Sequence, residues 1–152
     1  MTQITVIDWD TILPIWRDYL WKGRLTAIKP TNGLKLMGGY DNRVEEYSPT
    51  FVGAFINNKL VGVNSGHSTS ESEYRSRGIY IFPKYRSLNI SQKLFKSIED
   101  QARIENKSIL WSMPRASALP AYEKFGFRKV SKFFDDMEFG PNCYVVKELS
   151  DG

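Results

Sequence analysis

Apolar residues alternate or cluster in some stretches of the chain and recur every four positions in another. The first pattern predicts strands and the second a helix. Residues 3–7, QITVI, form a short β run. Asp8 or Asp10 can cap a helix reaching about Leu20; Pro14 falls late for a first turn and predicts a shifted start or a kink. Residues 29–42 are rich in Gly, Asn and Lys and read as loop or short helix. Residues 50–67 read as a hairpin turning at Asn57-Asn58-Lys59, where positive φ is tolerated. Residues 73–83 form a third strand ended by Pro83. In 89–106, Ile90, Leu94, Ile98 and Ala102 recur at steps of four with Phe95 beside them, one apolar stripe on a helix. Residues 108–114 read as a strand and 117–126 as a short helix, with Ser117 as N-cap, Pro120 in the first turn and Gly126 closing it. Residues 128–134 and 143–149 form a last pair of strands. The order β-α-(α)-β-β-β-α-β-α-β-β describes a mixed α/β domain in which an antiparallel meander feeds a β-α-β unit.

Composition narrows the classes. The 152 residues fit one domain, 1–152, with a sizeable core; 41% are hydrophobic and 25% charged, an ordinary globular balance. Aromatics at 14% predict a ring-rich core or pocket. A net charge of +4 suits an anionic ligand or a nucleic acid equally, but no run of five basic residues occurs, which argues against a nucleic-acid tail. The single cysteine, Cys143, excludes a disulfide framework and points to a reducing compartment. No apolar run reaches the roughly 18 residues of a membrane span. The N-terminus lacks a basic region and carries two Asp, unlike a signal peptide. A soluble cytoplasmic protein is expected. No internal repeat or low-complexity tract is evident.

The junction YIFPKYRSLNISQKL (80–94) raises the chemical question. A strand passes through a tight turn into a helix whose first N–H groups lack intrahelical partners, and the helix dipole adds positive charge there. A diphosphate suits such a site, with Lys84 and Arg86 nearby. The plain alternative is a capped turn: Asn89 is a good N-cap, and Gln92 three residues later completes a capping box. The residues alone favour the plain turn.

Two motifs resemble signatures of the GNAT N-acetyltransferase superfamily. FPKYRSLNISQKL resembles its acetyl-CoA loop, Arg-x-x-Gly-x-Gly/Ala after a strand ending in Pro: Pro83, Tyr85, Arg86 and Leu94 match, while Asn89 and Ser91 stand for the two glycines. SALPAYEKFGFRKV (117–130) resembles the second signature, Asn-x-x-Ala-x-x-x-Tyr-Glu-Lys-x-Gly-Phe: Ala118, Tyr122, Glu123, Lys124, Gly126 and Phe127 match, with Arg115 at the Asn position. The likeness covers roughly residues 50 to 149, and the N-terminal 50 match in outline only. GVNSGH and FGPNCYV resemble small family members of tailed phages and marine bacteria.

The resemblance implies a central, mostly antiparallel sheet of about 6–7 strands flanked by about four helices. It implies direct acetyl transfer from acetyl-CoA to an amine, of a small molecule or a protein. The diphosphate would be held by N–H groups of Arg86, Ser87, Leu88, Asn89, Ile90 and Ser91, and the pantetheine by the main chain of Ile79 and Ile81. Tyr122 matches the family's general acid, which protonates the leaving thiolate. Asn tolerates left-handed φ and Ser is small, so the loop can work without glycines. No metal, membrane or direct nucleic-acid contact is expected. Many members are homodimers, though no interface is readable here. No residue stands out as the base; His67 and Glu73 are weak candidates and a water chain serves as well. Arg75 and Arg77 share parity with Ile79 and Ile81 and reach toward the acceptor or form a solvated strand end, the reading we favour. Arg115 suits CoA, acceptor or a surface pair. Asp135, Asp136 and Glu138 either attract a cationic amine or solubilise a loop. Trp9, Trp16 and Trp21 read as core and helix-face residues, and Cys143 as buried. Two rivals remain: a GNAT-fold interaction module with weak or no acyl-CoA activity, favoured by the missing glycines, and a basic nucleic-acid-associated protein, which predicts salt-dependent binding.

Overall fold

Residues 1–135 and 138–149 are described by a computed structural model. The meander forms as the alternation requires: β1 (Thr2–Ile7), β2 (Thr50–Ile56), β3 (Lys59–Ser68) and β4 (Glu73–Ile81) pair antiparallel in sequence order. The β2–β3 turn uses Asn57 and Asn58 at φ 50° and 63°, a conformation Asn adopts more readily than most residues. β5 (Ile109–Ser112), β6 (Arg128–Lys129) and β7 (Val145–Glu148) complete a seven-stranded sheet in the order β1-β2-β3-β4-β5-β7-β6. Among the described strands only β4 and β5 run parallel, because the helix between them carries the chain back along the sheet.

That helix, α2 (Ile90–Ile104), buries its predicted stripe of Ile90, Leu94, Phe95, Ile98 and Ala102 on one face of the sheet. Burying each of the large side chains contributes about 1.5–3 kcal/mol. α3 (Leu119–Phe125) joins the same cluster through Tyr122 and ends at Gly126, whose φ of 115° is the left-handed stop read from the sequence. On the other face, α1 (Trp9–Ile15) packs Ile12, Ile15 and the following Trp16 against Phe51 and Val63. Asp8 caps α1 by accepting the Thr11 N–H at 2.9 Å. Just after Pro14 the helix widens into a π-type turn, Trp16–Leu20. Among the described residues there are three α-helices rather than about four; the loop at 29–42 is followed by one 3₁₀ turn, Asn42–Glu46.

Two expectations need correction. Ser117 does not cap α3: the cap position is Ala118, with no side-chain hydrogen bond. The last strand pair is shorter than predicted: β6 is confined to Arg128–Lys129, and beyond it regular pairing gives way to single contacts, Val130 N–H to the Tyr144 carbonyl at 3.0 Å, Tyr144 N–H to Ser131 Oγ at 2.8 Å and the Phe134–Asn142 bridge. No helix of the described residues is long and apolar enough to cross a membrane.

Two irregularities in β4 prepare the site. β4 pairs with β5 only from Glu73 to Arg75, so its edge from Ser76 to Ile81 has no strand partner on that side. Against β3, Ser65 faces Arg77 but Val63 faces Tyr80, which leaves one extra residue on β4: a bulge at Gly78–Ile79. Gly78 sits at φ +80°, and a Cβ there would lie 2.5 Å from the Trp16 ring, whose Nε1 donates to the Gly78 carbonyl at 2.8 Å. Both the backbone and the space require glycine.

Candidate active site

Where β4 and β5 part, a cavity of about 980 Å³ opens. One wall is β4 from Arg75 to Ile81, and the other runs through Ser112–Arg115 to Ala121 and Tyr122 of α3. Trp21, Arg24 and Asn32 of the N-terminal loops cover it. Tyr122 is buried and wedged against Phe95 and Phe127, with ring centroids 4.6 and 5.3 Å away. Its hydroxyl lies 3.4 Å from Ser112 Oγ, which donates to the Ser76 carbonyl at 2.6 Å and so ties Tyr122 to the opposite wall. Burial raises the Tyr122 pKa; the Ser112 contact and the charges of Arg75 and Arg115 oppose that rise. The phenol is therefore protonated at neutral pH.

The turn after β4 closes one end. Pro83 starts a 3₁₀ turn, Pro83–Tyr85, and Arg86 folds back so that its Nε donates to the Ile81 carbonyl at 2.8 Å and its guanidinium lies over Tyr80. Asn89 adopts φ 63°, ψ 22° and makes no cap: its Oδ1 instead accepts from Lys124 Nζ at 3.0 Å, and Gln92 donates to the Ala121 carbonyl at 3.0 Å. The expected capping box is absent because a left-handed residue cannot aim its side chain at the helix's first N–H groups from the usual extended cap conformation. The Arg86 and Leu88 N–H groups are used within the turn, donating to Pro83 and Tyr85 carbonyls at 3.3 Å each. Those of Ser87, Asn89, Ile90 and Ser91 find no acceptor among the described residues. Ile79, Ile81, Arg86 and Ser91 line the cavity; Ser87, Leu88 and Asn89 are exposed on the turn and Ile90 is buried beneath it.

The family model described as an acetyltransferase (GNAT) domain matches residues 38–137, which contain β4, the turn after it and Tyr122. The chain belongs to the GNAT acetyltransferases. Solved structures share the fold. A GNAT family acetyltransferase from Elizabethkingia anophelis with acetyl-CoA bound aligns at TM-score 0.70 and 17% identity, over 97% of this chain and 98% of that one. A GNAT acetyltransferase from Staphylococcus aureus aligns at 0.69 and 15%, over 99% and 100%. The ribosomal-protein-S18-alanine N-acetyltransferase of Escherichia coli aligns at 0.63 and 18%, over 100% and 96%. No curated protein matches the chain in sequence.

The other candidates in this GNAT acetyltransferase sort by position. His67 is buried in β3 opposite Arg75, outside the cavity lining, and burial, reinforced by the Arg75 charge, lowers its pKa to about 3. Glu73 also lies outside, accepting a hydrogen bond from Ser70. Arg75 and Arg77 are not a solvated strand end: they are 7% and 3% exposed and line the cavity. Nor do they share a face with Ile79 and Ile81, because the bulge reverses the alternation. Ile79 and Ile81 pack under α2, whereas Arg77 lies over Trp16 and Trp21 on the α1 face. Arg115 lines the cavity and faces the Phe139 ring. Glu138 also lines it, but its carboxylate accepts the Leu25 N–H and the Thr26 hydroxyl and so fastens one loop to another. Asp135 is exposed, and Asp136 lies outside the described residues. Trp16 is core, as read; Trp9 and Trp21 are half-buried against the same cluster, and Trp21 additionally roofs the cavity. Cys143 is buried. No His, Cys, Asp and Glu cluster suited to a metal occurs among the described residues. Gly78 escaped the sequence reading, although an isolated glycine within a strand pattern is the usual sign of a bulge.

Proposed function

We propose that residues 1–152 act as one acetyltransferase domain that uses acetyl-CoA to acetylate an amine directly, with Tyr122 as general acid. The observation that carries this reading is Tyr122, a buried, protonated phenol facing an unpaired strand edge across one cavity. The residues present fit the cosubstrate. The free N–H groups of Ser87, Asn89, Ile90 and Ser91, at the start of a 15-residue helix, suit a diphosphate. The open edge at Ile79 and Ile81 suits an amide-bearing arm. Acetyl-CoA supplies the activated acetyl thioester.

The chain's own part is positional and acid–base. The cavity walls bring amine and thioester together, which removes much of the entropic barrier. Tyr122 gives its proton to the departing thiolate. Ser112 Oγ can then turn from the Ser76 carbonyl toward the phenolate, and Arg75 and Arg115 lower its energy electrostatically. His67 and Glu73 lie outside the cavity, and the carboxylate that does line it, Glu138, is engaged by the Leu25 N–H and the Thr26 hydroxyl, so water carries away the ammonium's proton.

Thermal unfolding with acetyl-CoA, CoA and ATP tests the reading. Ligand at about 100 times its Kd stabilises by about 2.7 kcal/mol, a rise of several degrees. Shifts with acetyl-CoA and CoA but not ATP are expected. No shift at millimolar ligand would leave the fold as an interaction module.

A further inference from the structure

The α1-face wall of the cavity holds charge that the fold does not neutralise. Arg77 donates to the Lys29 carbonyl at 2.9 Å and lies over Trp16 and Trp21, 5.0 and 5.1 Å from their ring centroids. Arg75 lies over Trp111 at 5.1 Å and donates weakly to Asn32 Oδ1 at 3.3 Å, while its Nε is buried with no hydrogen-bond partner. Neither forms an ion pair among the described residues. Arg24, half-buried over Trp21, lines the same cavity. The carboxylates that act on this group from a distance are Glu45 on Arg77 and Glu138 on Arg24. Both are already engaged, Glu45 by Lys29 and Tyr40, and Glu138 by the Leu25 N–H and Thr26.

Buried guanidinium groups without a counter-charge are costly, and these also repel one another. Their forks and flat faces are held by carbonyl, amide and indole groups, which fix their direction without neutralising them. An anion entering the cavity would supply what the fold omits, and guanidinium groups pair with oxyanions in bidentate geometry. The coenzyme's diphosphate is badly placed for this: Arg75 precedes Ile81 by six strand residues, about 20 Å of β-strand, and the diphosphate turn follows Ile81. Tyr122, by contrast, is close to Arg75, joined to it through Ser112 and the neighbouring Ser76.

We infer that the acceptor is a small amine carrying its own oxyanion, a carboxylate or a phosphate ester a few bonds from the nitrogen, and that Arg24, Arg75 and Arg77 bind that group. This rests on the acetyltransferase reading and names its substrate class. It replaces the expectation that acidic residues draw in a purely cationic amine, since Glu138 is used in fastening loops.

Three amines of similar length separate the cases: β-alanine, 2-aminoethyl phosphate and propylamine. Each is titrated calorimetrically into protein saturated with CoA. Binding of β-alanine or 2-aminoethyl phosphate at least tenfold tighter than propylamine is expected, and whichever binds tighter identifies the oxyanion. In Arg24→Gln the ratio should fall several-fold, and a retained thermal shift with acetyl-CoA shows that the variant is folded. Arg75→Lys should likewise lose most of the preference, because an ammonium cannot reproduce the fork. Equal binding of all three amines, or preference for propylamine, overturns the anion site while leaving the acetyl-CoA shift and the enzyme reading intact. Absence of any acetyl-CoA or CoA shift overturns both.

Discussion

The two ends of β4 present positive charge in opposite ways. At the Ile81 end it is backbone: N–H groups on an exposed turn at the start of α2. At the Glu73 end it is side chain: Arg75 and Arg77, buried among Trp16, Trp21 and Trp111. The backbone site tolerates substitution, because Asn89 and Ser91 alter the space around the N–H groups without removing one. The side-chain site tolerates little, since each guanidinium is the donor itself. Gly78 lies between them, and its bulge turns the arginines to one face of the sheet and the isoleucines to the other.

The most disruptive way to break this comparison is Gly78→Val. It demands a strained φ and forces Cβ into the Trp16 indole, so a loss of about 3–5 kcal/mol in unfolding free energy is expected by urea denaturation. A change within about 0.5 kcal/mol would mean that the two ends do not depend on the bulge.

A pH experiment sharpens the buried end. His67 has a folded pKa of about 3, depressed first by burial and then by Arg75, against about 6.5 when unfolded. The unfolded chain therefore binds the proton first. The stabilisation from neutral His67 is complete above pH 6.5 and is lost as pH falls toward 3, by up to about 1.4 kcal/mol per unit. Between pH 6.5 and 5, His67→Gln should lose about 1.6 kcal/mol less than the parent protein. Parallel stability curves would show that His67 is protonated within the folded protein.

The smallest effect belongs to the exposed end. Asn89→Gly should change stability by under about 1 kcal/mol, since Asn89 is already left-handed. It should also tighten CoA binding a few-fold at most, by calorimetry. A hundred-fold gain would mean that the Asn side chain obstructs the turn.

Much of the architecture was legible because periodicity reports burial. The step-of-four stripe from Ile90 to Ala102 and the Asn57-Asn58 turn needed no tertiary information. Asn89 suits either a cap or a left-handed position in place of glycine; the backbone takes the second, and the side chain reaches Lys124, 35 residues away, which no local rule anticipates. Strict alternation puts Arg75 and Arg77 on the face of Ile79 and Ile81, and one extra residue at Gly78 undoes it. Trp21, Arg24 and Asn32 come from loops whose sequence has no period, so their place over the cavity was invisible.

Tyr122 is proposed to deliver the proton that completes transfer. The most direct test is the steady-state kinetics of Tyr122→Phe with the preferred anionic amine. The ring keeps its packing against Phe95 and Phe127, and the lost hydroxyl makes only the 3.4 Å contact with Ser112, so folding and acetyl-CoA binding should persist. The account predicts kcat reduced by about 100-fold or more with KM little changed. A kcat within about threefold of the parent enzyme would contradict it and leave solvent as the source of the proton.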